Sequence, residues 1–404
     1  MQKSGTLVFK GRAFDGKAMH RNATLQIDTD SGTIVGFGER GAVEETKGAR
    51  MIEGADLTAL PGLIDAHVHF YSSKGSGIKE WSLVPDTLAV LRAAGDMGRL
   101  LRAGFTSVRE LGSKGGVHLA QAVEEGALAG PGVVSCSRAL SQTGGDDDPR
   151  SLPLDIAQRL ASYTYFCDGP WECRRAVRQV LRDGGRVVKL YASGSFTRTG
   201  KILRDFDPRE LEAIVDESHR AGLKVAAHAN GEEALENVVR AGVDSIEHGA
   251  GLTAKIASTI AKRGIFYVPT LLTYAAIARR DLPRSLASHI RRHISEDMEL
   301  AKDHGLLVVS GSDIVGDAER SHGRNYEEIV AIAKTHGKNE ALVSATSRAA
   351  KCLDLPDVGL LKEGFRADVT IVKGDPSKNI QALAPESVEF VVKSGRLVFS
   401  RSWA

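Results

Sequence analysis

Short apolar runs bounded by Gly, Asp and Asn open the chain: TLVFKG at 6–11, ATLQID at 23–28 and GTIVGFG at 32–38. No segment of helical period lies among the first 60 residues. The same β-type texture returns beyond residue 359, in ADVTIVKG and SVEFVVKSGRLVFS. Two separate β appendages would account for this, but one sandwich assembled from both ends is simpler, because chain termini often lie close together. The expected domains are therefore a discontinuous β-sandwich from 1–62 plus 359–404, and a larger unit from 63–358. In that larger unit, short apolar runs alternate with long helical patterns, as in βα repeats around a parallel sheet. Candidate strands fall at 63–70, 105–110, 132–137, 186–193, 224–229, 245–249, 265–270 and 306–313. Helices are expected after them, for example PRELEAIVDESHRAG after the fourth and EEALENVVRAG after the fifth. Eight such units fit the α/β class as a (β/α)8 TIM barrel. A doubly wound open sheet is the competing architecture, although no Gly-x-Gly-x-x-Gly fingerprint follows an early strand to support a dinucleotide.

Composition narrows the partners. The 404 residues carry 53 basic and 51 acidic side chains, a formal net charge of +2. Without a dense Lys/Arg block, there is no electrostatic footprint for nucleic acid or for a polybasic membrane anchor. Neither an uninterrupted apolar leader nor a run of about 18 apolar residues occurs, so a soluble cytoplasmic protein is expected. Cys136, Cys167, Cys173 and Cys352 are too irregularly spaced for a disulfide framework or a zinc ribbon, and are expected as reduced, buried thiols.

Catalytic groups of a barrel sit where its strands end, and the polar residues there form a set. The first strand ends in His67 and His69, the fourth holds Lys189, the fifth His228, the sixth His248 and the eighth Asp313. Side chains alternate along a strand, so His67 and His69 share a face and can chelate one ion. Singly, a strand His is more often a hydrogen-bonded core residue, and an Asp after a strand a helix cap. Jointly, four imidazoles and a carboxylate at corresponding strand ends match a site for zinc, iron or manganese. Lys189, within the apolar VVKLY, should have its pKa depressed by desolvation. A neutral amine can react with carbon dioxide, and the resulting carbamate has two oxygens able to bridge two cations. The alternative is a lysine that snorkels to the barrel mouth or pairs with an acid.

With these motifs in order, the chain resembles the amidohydrolase superfamily, and more closely its imidazolonepropionase-like and prolidase-like branch. The likeness lies in PGLIDAHVHF, RVVKLYASG, VAAHANG, DSIEHG, VVSGSD and the C-terminal GLLKEGFRADVTIVKGDP. It implies two divalent ions, zinc being expected: His67, His69 and Asp313 holding the more buried one, His228 and His248 the other, and carboxylated Lys189 bridging them. It also implies a hydroxide held between the ions as nucleophile, with Asp313 carrying its proton to the leaving nitrogen. Such an enzyme would hydrolyse an amide or peptide-like bond of a small molecule, a dipeptide or N-acyl amino acid by resemblance. A cyclic amide, lactone, carbamate or phosphotriester on the same centre is the alternative, and a non-catalytic scaffold the remote one. A homo-oligomer is compatible with all of these.

One departure stands out. The branch often carries Thr-Gly-Gly-His after the third strand, and here SQTGGDDDPR puts Asp146 where that His would lie. The run Asp146, Asp147, Asp148 reads either as a solvated loop or as a site favouring a cationic group on the substrate. Tyr191 and Tyr274 are candidates to hydrogen-bond substrate or to pack, His322 and Asn325 to line the site or to open a helix. Arg198 is a candidate to meet a substrate carboxylate.

Overall fold

The computed structural model describes residues 5–43, 46–75, 77–194, 202, 204–279, 282–317 and 320–401. Its strands are β1 (Thr6–Phe14), β2 (Met19–Asp28), β3 (Thr33–Glu39), β4 (Arg50–Pro61), β5 (Leu63–Val68), β6 (Phe105–Glu110), β7 (Gly132–Ser135), β8 (Ala139–Ser141), β9 (Thr164–Phe166), β10 (Val187–Tyr191), β11 (Lys224–Ala229), β12 (Ser245–His248), β13 (Phe266–Val268), β14 (Leu307–Val308), β15 (Val369–Lys373), β16 (Val388–Lys393) and β17 (Arg396–Ser400).

Strands from the two ends of the chain share one seven-stranded sheet, in the order β17-β16-β15-β4-β1-β2-β3. One hydrogen-bonded sheet joins both ends through the antiparallel pair β4–β15. Alternation along its β-branched strands gives it two apolar faces. Val369, Ile371 and Phe390 pack with Leu25 and Ile27 in a core of the sheet's own, whereas Val372 and Val391 join the main core with Leu60 and Phe14. The sheet is thereby fastened to the rest of the molecule by its own side chains.

The middle of the chain holds a seven-stranded parallel sheet, β14-β13-β12-β11-β10-β8-β9, and a three-stranded one, β5-β6-β7. Backbone hydrogen bonds cross between them. Arg186 N donates to Ser135 O at 2.8 Å on one side, and Ala66 N to Ser310 O at 2.9 Å and Asp313 N to His67 O at 2.7 Å on the other. Both helices named from the pattern form, at Pro208–Arg220 and Glu232–Ala241. The first starts at a capping box in which Asp207 Oδ1 accepts from Glu210 N at 3.1 Å and Glu210 Oε2 accepts from Asp207 N at 2.7 Å. The expected eighth strand is a ladder only at Leu307–Val308. Beyond it Val309 N still donates to Tyr267 O of β13 at 2.9 Å, and the chain then bonds to β5 through Ser310 and Asp313. Strands β8 and β9, of three residues each, are too short to show a period in the sequence. All four cysteines are buried and free, and no described helix is long and apolar enough to cross a membrane.

Gly62 joins the end-built sheet to β5, its N–H donating to Asp368 O at 2.8 Å. A Cβ placed there would lie 2.7 Å from Thr106 Cβ and 2.0 Å from its Oγ1. Gly62→Ala is therefore expected to cost roughly 1–3 kcal/mol through overpacking, read as a lower urea midpoint with an unchanged slope.

Candidate metal centre

Four parallel strands and the segment after β14 deliver the polar set to one place. His67 and His69 come from β5 and the residue just after it, Lys189 from β10, His228 from β11 and His248 from β12. Neighbouring registers put Tyr191 beside His228, and His228 beside Glu247. All six expected ligands are buried, Asp313 being the most exposed at 9%.

Three of them converge tightly. His67 Nε2 and His69 Nε2 lie 3.3 Å apart, and Asp313 Oδ1 is 3.5 Å from the first and 3.3 Å from the second. Among the described residues, these are the His, Cys, Asp or Glu groups whose donor atoms all fall within 4.8 Å of one another. Each imidazole is fixed from behind: His67 Nδ1 donates to Glu247 Oε2 at 2.8 Å, and His69 Nδ1 to the Gly112 carbonyl at 2.6 Å. With the proton on Nδ1, both Nε2 lone pairs face the shared space.

The second group is more open. His248 Nδ1 meets the Thr270 hydroxyl at 2.7 Å, and its ring centroid lies 4.4 Å from that of His228 and 5.2 Å from that of His67. His228 Nε2 is 3.1 Å from Asn230 Nδ2 and 3.9 Å from Asp146 Oδ2. The Asn230 carbonyl oxygen accepts from Tyr274 OH at 3.1 Å and from Ala250 N at 3.2 Å, which turns its amide nitrogen toward His228. The Lys189 ammonium lies 4.9 Å from the centre of the Tyr191 ring.

Burial sets the protonation states. It holds His67 and His248 well below the ordinary imidazole range and His228 down to about 4, with the Lys189 charge acting in the same direction on each. Burial also lowers Lys189, against the opposing pull of Glu247 and Asp313. For Asp313 burial raises the pKa, but His69 and His67, when their Nε2 atoms carry a proton, hold it below the usual carboxylate range. Neutral imidazoles around an ionised carboxylate are the donor states a divalent cation requires, so these residues fit a metal. The backbone is strained where they are presented: His248, Thr270 and Asp313 have φ of 69°, 52° and 54°. Non-glycine residues adopt this left-handed region only when their surroundings impose it.

Two supports escaped the sequence reading. Arg109, fully enclosed in β6, donates through Nη2 to Glu247 Oε1 at 2.7 Å, through Nη1 to Ser245 Oγ at 2.9 Å and through Nε to Ala66 O at 2.6 Å. Asp65 accepts from Ser312 N at 3.0 Å, Ser312 Oγ at 2.6 Å and Asn325 Nδ2 at 2.7 Å, tying β5 to the Asp313 segment. The signal was available: a charged residue inside FTSVRE, LIDAHV or SIEHG is as anomalous as the lysine in VVKLY.

The other candidates divide. A cavity of about 440 Å³ is lined by His69, Lys189, His228, His248 and Asp313, together with Asp146 and Tyr191. The acidic run is no solvated loop, because Asp147 and Asp148 are buried, and burial reinforced by the Asp146 charge pushes Asp147 up to about 8. Tyr274 and His322 are not brought to the cavity wall. Tyr274 spends its hydroxyl on Asn230, and His322 lies behind β5, donating from Nε2 to the His69 carbonyl at 2.9 Å. Asn325 precedes Tyr326–His336 without capping it, its Oδ1 accepting from Gly323 N at 3.0 Å and its Nδ2 joining the Asp65 network. Arg198 lies outside the described residues.

The family model described as the amidohydrolase family matches residues 58–398. The chain belongs to the amidohydrolase family. It is 29% identical over 431 residues to the ochratoxinase of Aspergillus niger, covering 97% of this chain and 86% of that protein. A crystal structure of a prolidase complexed with N-methylphosphonate-L-proline superposes with a TM-score of 0.87 at 30% identity, covering 98% of this chain and 100% of that one. A Xaa-Pro dipeptidase with bound methionine gives 0.84 at 29% identity, again over 98% and 100%. This amidohydrolase is thus a hydrolase of amide or peptide C–N bonds, with a His, His, Asp cluster at its strand ends.

Arg109→Met should destabilise this amidohydrolase by roughly 3–5 kcal/mol, since it strands the Glu247 carboxylate without a countercharge. Adding Glu247→Leu should restore much of that stability yet leave His67 Nδ1 unoriented, weakening metal binding about 10- to 100-fold. Denaturant titration and competition with a chelator would separate the two effects.

Proposed function

We propose that this enzyme hydrolyses a dipeptide or an N-acyl amino acid with the help of two divalent ions, zinc being the expected metal. The observation that carries the reading is the convergence of two oriented Nε2 lone pairs and one carboxylate oxygen within 4.8 Å, with His69 and Asp313 of this cluster lining the cavity. The neighbours add weight, since they include a prolidase, a Xaa-Pro dipeptidase and an ochratoxinase. In the same reading the eight βα units close into a barrel. Support comes from the hydrogen bonds that link β7 to the start of β10 and the Asp313 segment to β5. The two chain ends, 1–62 and 359–404, then form one appended domain.

His67, His69 and Asp313 would hold one ion, His228 and His248 the other, and a carbamate on Lys189 would join them. Burial favours that carbamate because it shifts the amine toward its neutral form, and only the neutral nitrogen can form the N–C bond to carbon dioxide and release a proton. When bound, two such ions supply hydroxide at neutral pH and polarise a carbonyl. The chain's own residues do the rest. Glu247 and Gly112 hold the imidazoles in one tautomer, and the Asp65 network holds the segment bearing Asp313. Asp313 accepts the proton of the attacking water and returns it to the leaving nitrogen.

Elemental analysis of protein grown with zinc and bicarbonate should find two ions per chain, and Lys189→Ala should retain no more than one and lose most activity. Short carboxylic acids should partly restore that variant by replacing the carbamate. A stoichiometry in the parent that never exceeds one would refute the bridged centre. In a screen of dipeptides and N-acyl amino acids, Asp313→Asn should keep at least one metal but lower kcat by roughly 10² or more, because an amide cannot take the proton. Turnover like the parent's in well-folded Asp313→Asn protein would move the base elsewhere.

A further inference from the structure

A threonine that opens a helix ordinarily keeps an extended backbone and turns its own hydroxyl onto the helix's free N–H groups. Thr253 does so in this chain. It precedes the helix Ala254–Arg263 with φ −116° and ψ 159°, and its Oγ1 accepts from Ile256 N at 3.4 Å. Thr270 stands in the same position before the helix Leu271–Ile277 and does neither. Its φ of 52° and ψ of 43° are left-handed, an outlier for a β-branched residue, and its hydroxyl makes no capping bond. That hydroxyl meets His248 Nδ1 instead, at 2.7 Å. The cap comes from another element. Glu328, fully buried on the helix Tyr326–His336, accepts from Leu271 N through Oε1 at 3.0 Å and from Leu272 N through Oε2 at 2.7 Å. On the other side of Thr270, the Pro269 carbonyl accepts from His293 Nε2 at 2.8 Å. Backbone strain persists where the surroundings over-determine it, and bonds on both flanks of Thr270 do so here. Thr273, on the same first turn, donates from Oγ1 to the Asp313 carbonyl at 3.0 Å.

We propose that Glu328 is a positioning residue for His248: by capping the helix in place of Thr270, it frees the threonine hydroxyl to accept the Nδ1 proton of His248 and leaves the Nε2 lone pair for a metal ion. This rests on the reading that His248 ligates one of two ions. The physical reason is competition for one acceptor. Buried N–H groups at Leu271 and Leu272 must find an oxygen, and an unfilled one costs free energy. Without the Glu328 carboxyl, the acceptor next in the chain is Thr270 Oγ1, which reaches them once its backbone relaxes to the extended form that Thr253 adopts. The hydroxyl would then be drawn off His248. Glu328 removes that competition from a distant helix. Three imidazoles are so held from behind at Nδ1, His67 by Glu247, His69 by the Gly112 carbonyl and His248 by Thr270. A fixed Nδ1 partner selects the tautomer that presents Nε2.

The test is a double-mutant cycle on the full-length protein, read by zinc binding in competition with a chelator. Glu328→Gln keeps the shape but sets an amide NH2 against one of the two backbone donors, and Thr270→Val keeps the shape without the hydroxyl. Each should weaken the binding of one of the two ions by roughly 10- to 100-fold. The double variant should bind about as well as either single one, because both break the same link. Thr270→Ser, which keeps the hydroxyl, should bind like the parent, and Glu328→Asp, the second variant at 328, should fall between the parent and Glu328→Gln. Losses that multiply in the double variant, or parental zinc affinity in Glu328→Gln, overturn the assignment. Ring 15N spectra of histidine-labelled protein, with and without zinc, read the link independently of the ions, the His248 signal being identified by its absence in His248→Gln. A single Nδ1-protonated tautomer in the parent that becomes mixed in Glu328→Gln or Glu328→Asp supports the assignment, even if the parent never binds a second ion and the two-ion reading fails. An Nε2-protonated His248 in the parent, or an Nδ1 tautomer that these variants leave unmoved, overturns it.

Discussion

Glu247 is a carboxylate with no access to water, and the centre of the molecule is organised around satisfying it. One oxygen takes the Arg109 guanidinium and the Ser245 hydroxyl, the other takes His67. Burying the pair carries a large desolvation cost, offset only when geometry and additional hydrogen bonds are complete. That requirement ties β5, β6 and β12 together at one height. It also selects the His67 tautomer, so a structural ion pair and the presentation of a ligand are the same interaction.

The cost does not stop there. Lys189 sits in the same interior with Glu247 already engaged, and desolvation pushes it toward the neutral amine. His248, Thr270 and Asp313 accept left-handed backbone, and Asp65 gathers several donors from the segment that carries Asp313.

Size alone would have misplaced the site. A cleft of about 670 Å³ opens between the end-built sheet and the base of the parallel strands, but no histidine or cysteine lines it. The smaller cavity matters because neutral imidazoles, an ionised carboxylate and a desolvated amine meet there. Chemistry of that kind is expensive to bury and persists where a ligand uses it.

How much of this was legible depends on the range of the physics involved. Alternation and period are local, so TLVFKG, VTIVK, VVKLY and the helix opened by Asp207 could be read directly, as could the ligand types at the strand ends. Polar residues inside apolar strands advertised themselves too, and Arg109, Asp65 and Glu247 were as visible as Lys189 once that test is applied evenly. Partners were not visible. Glu247 meets Arg109 and Asn325 meets Asp65 across large separations along the chain, and no local pattern encodes which buried charge finds which donor. The same holds for Asp147, which sequence alone could equally make a solvated loop, and for His322, turned behind β5 by one backbone carbonyl. The end-built sheet is the clearest case: alternation determined its strands, but their joining into one sheet was decided by the pairing of β4 with β15. The sequence by itself determined which side chains are available at each strand end. The tertiary structure decided which of them face one another, because burial and hydrogen-bond completion act on the assembled neighbourhood and not on the segment.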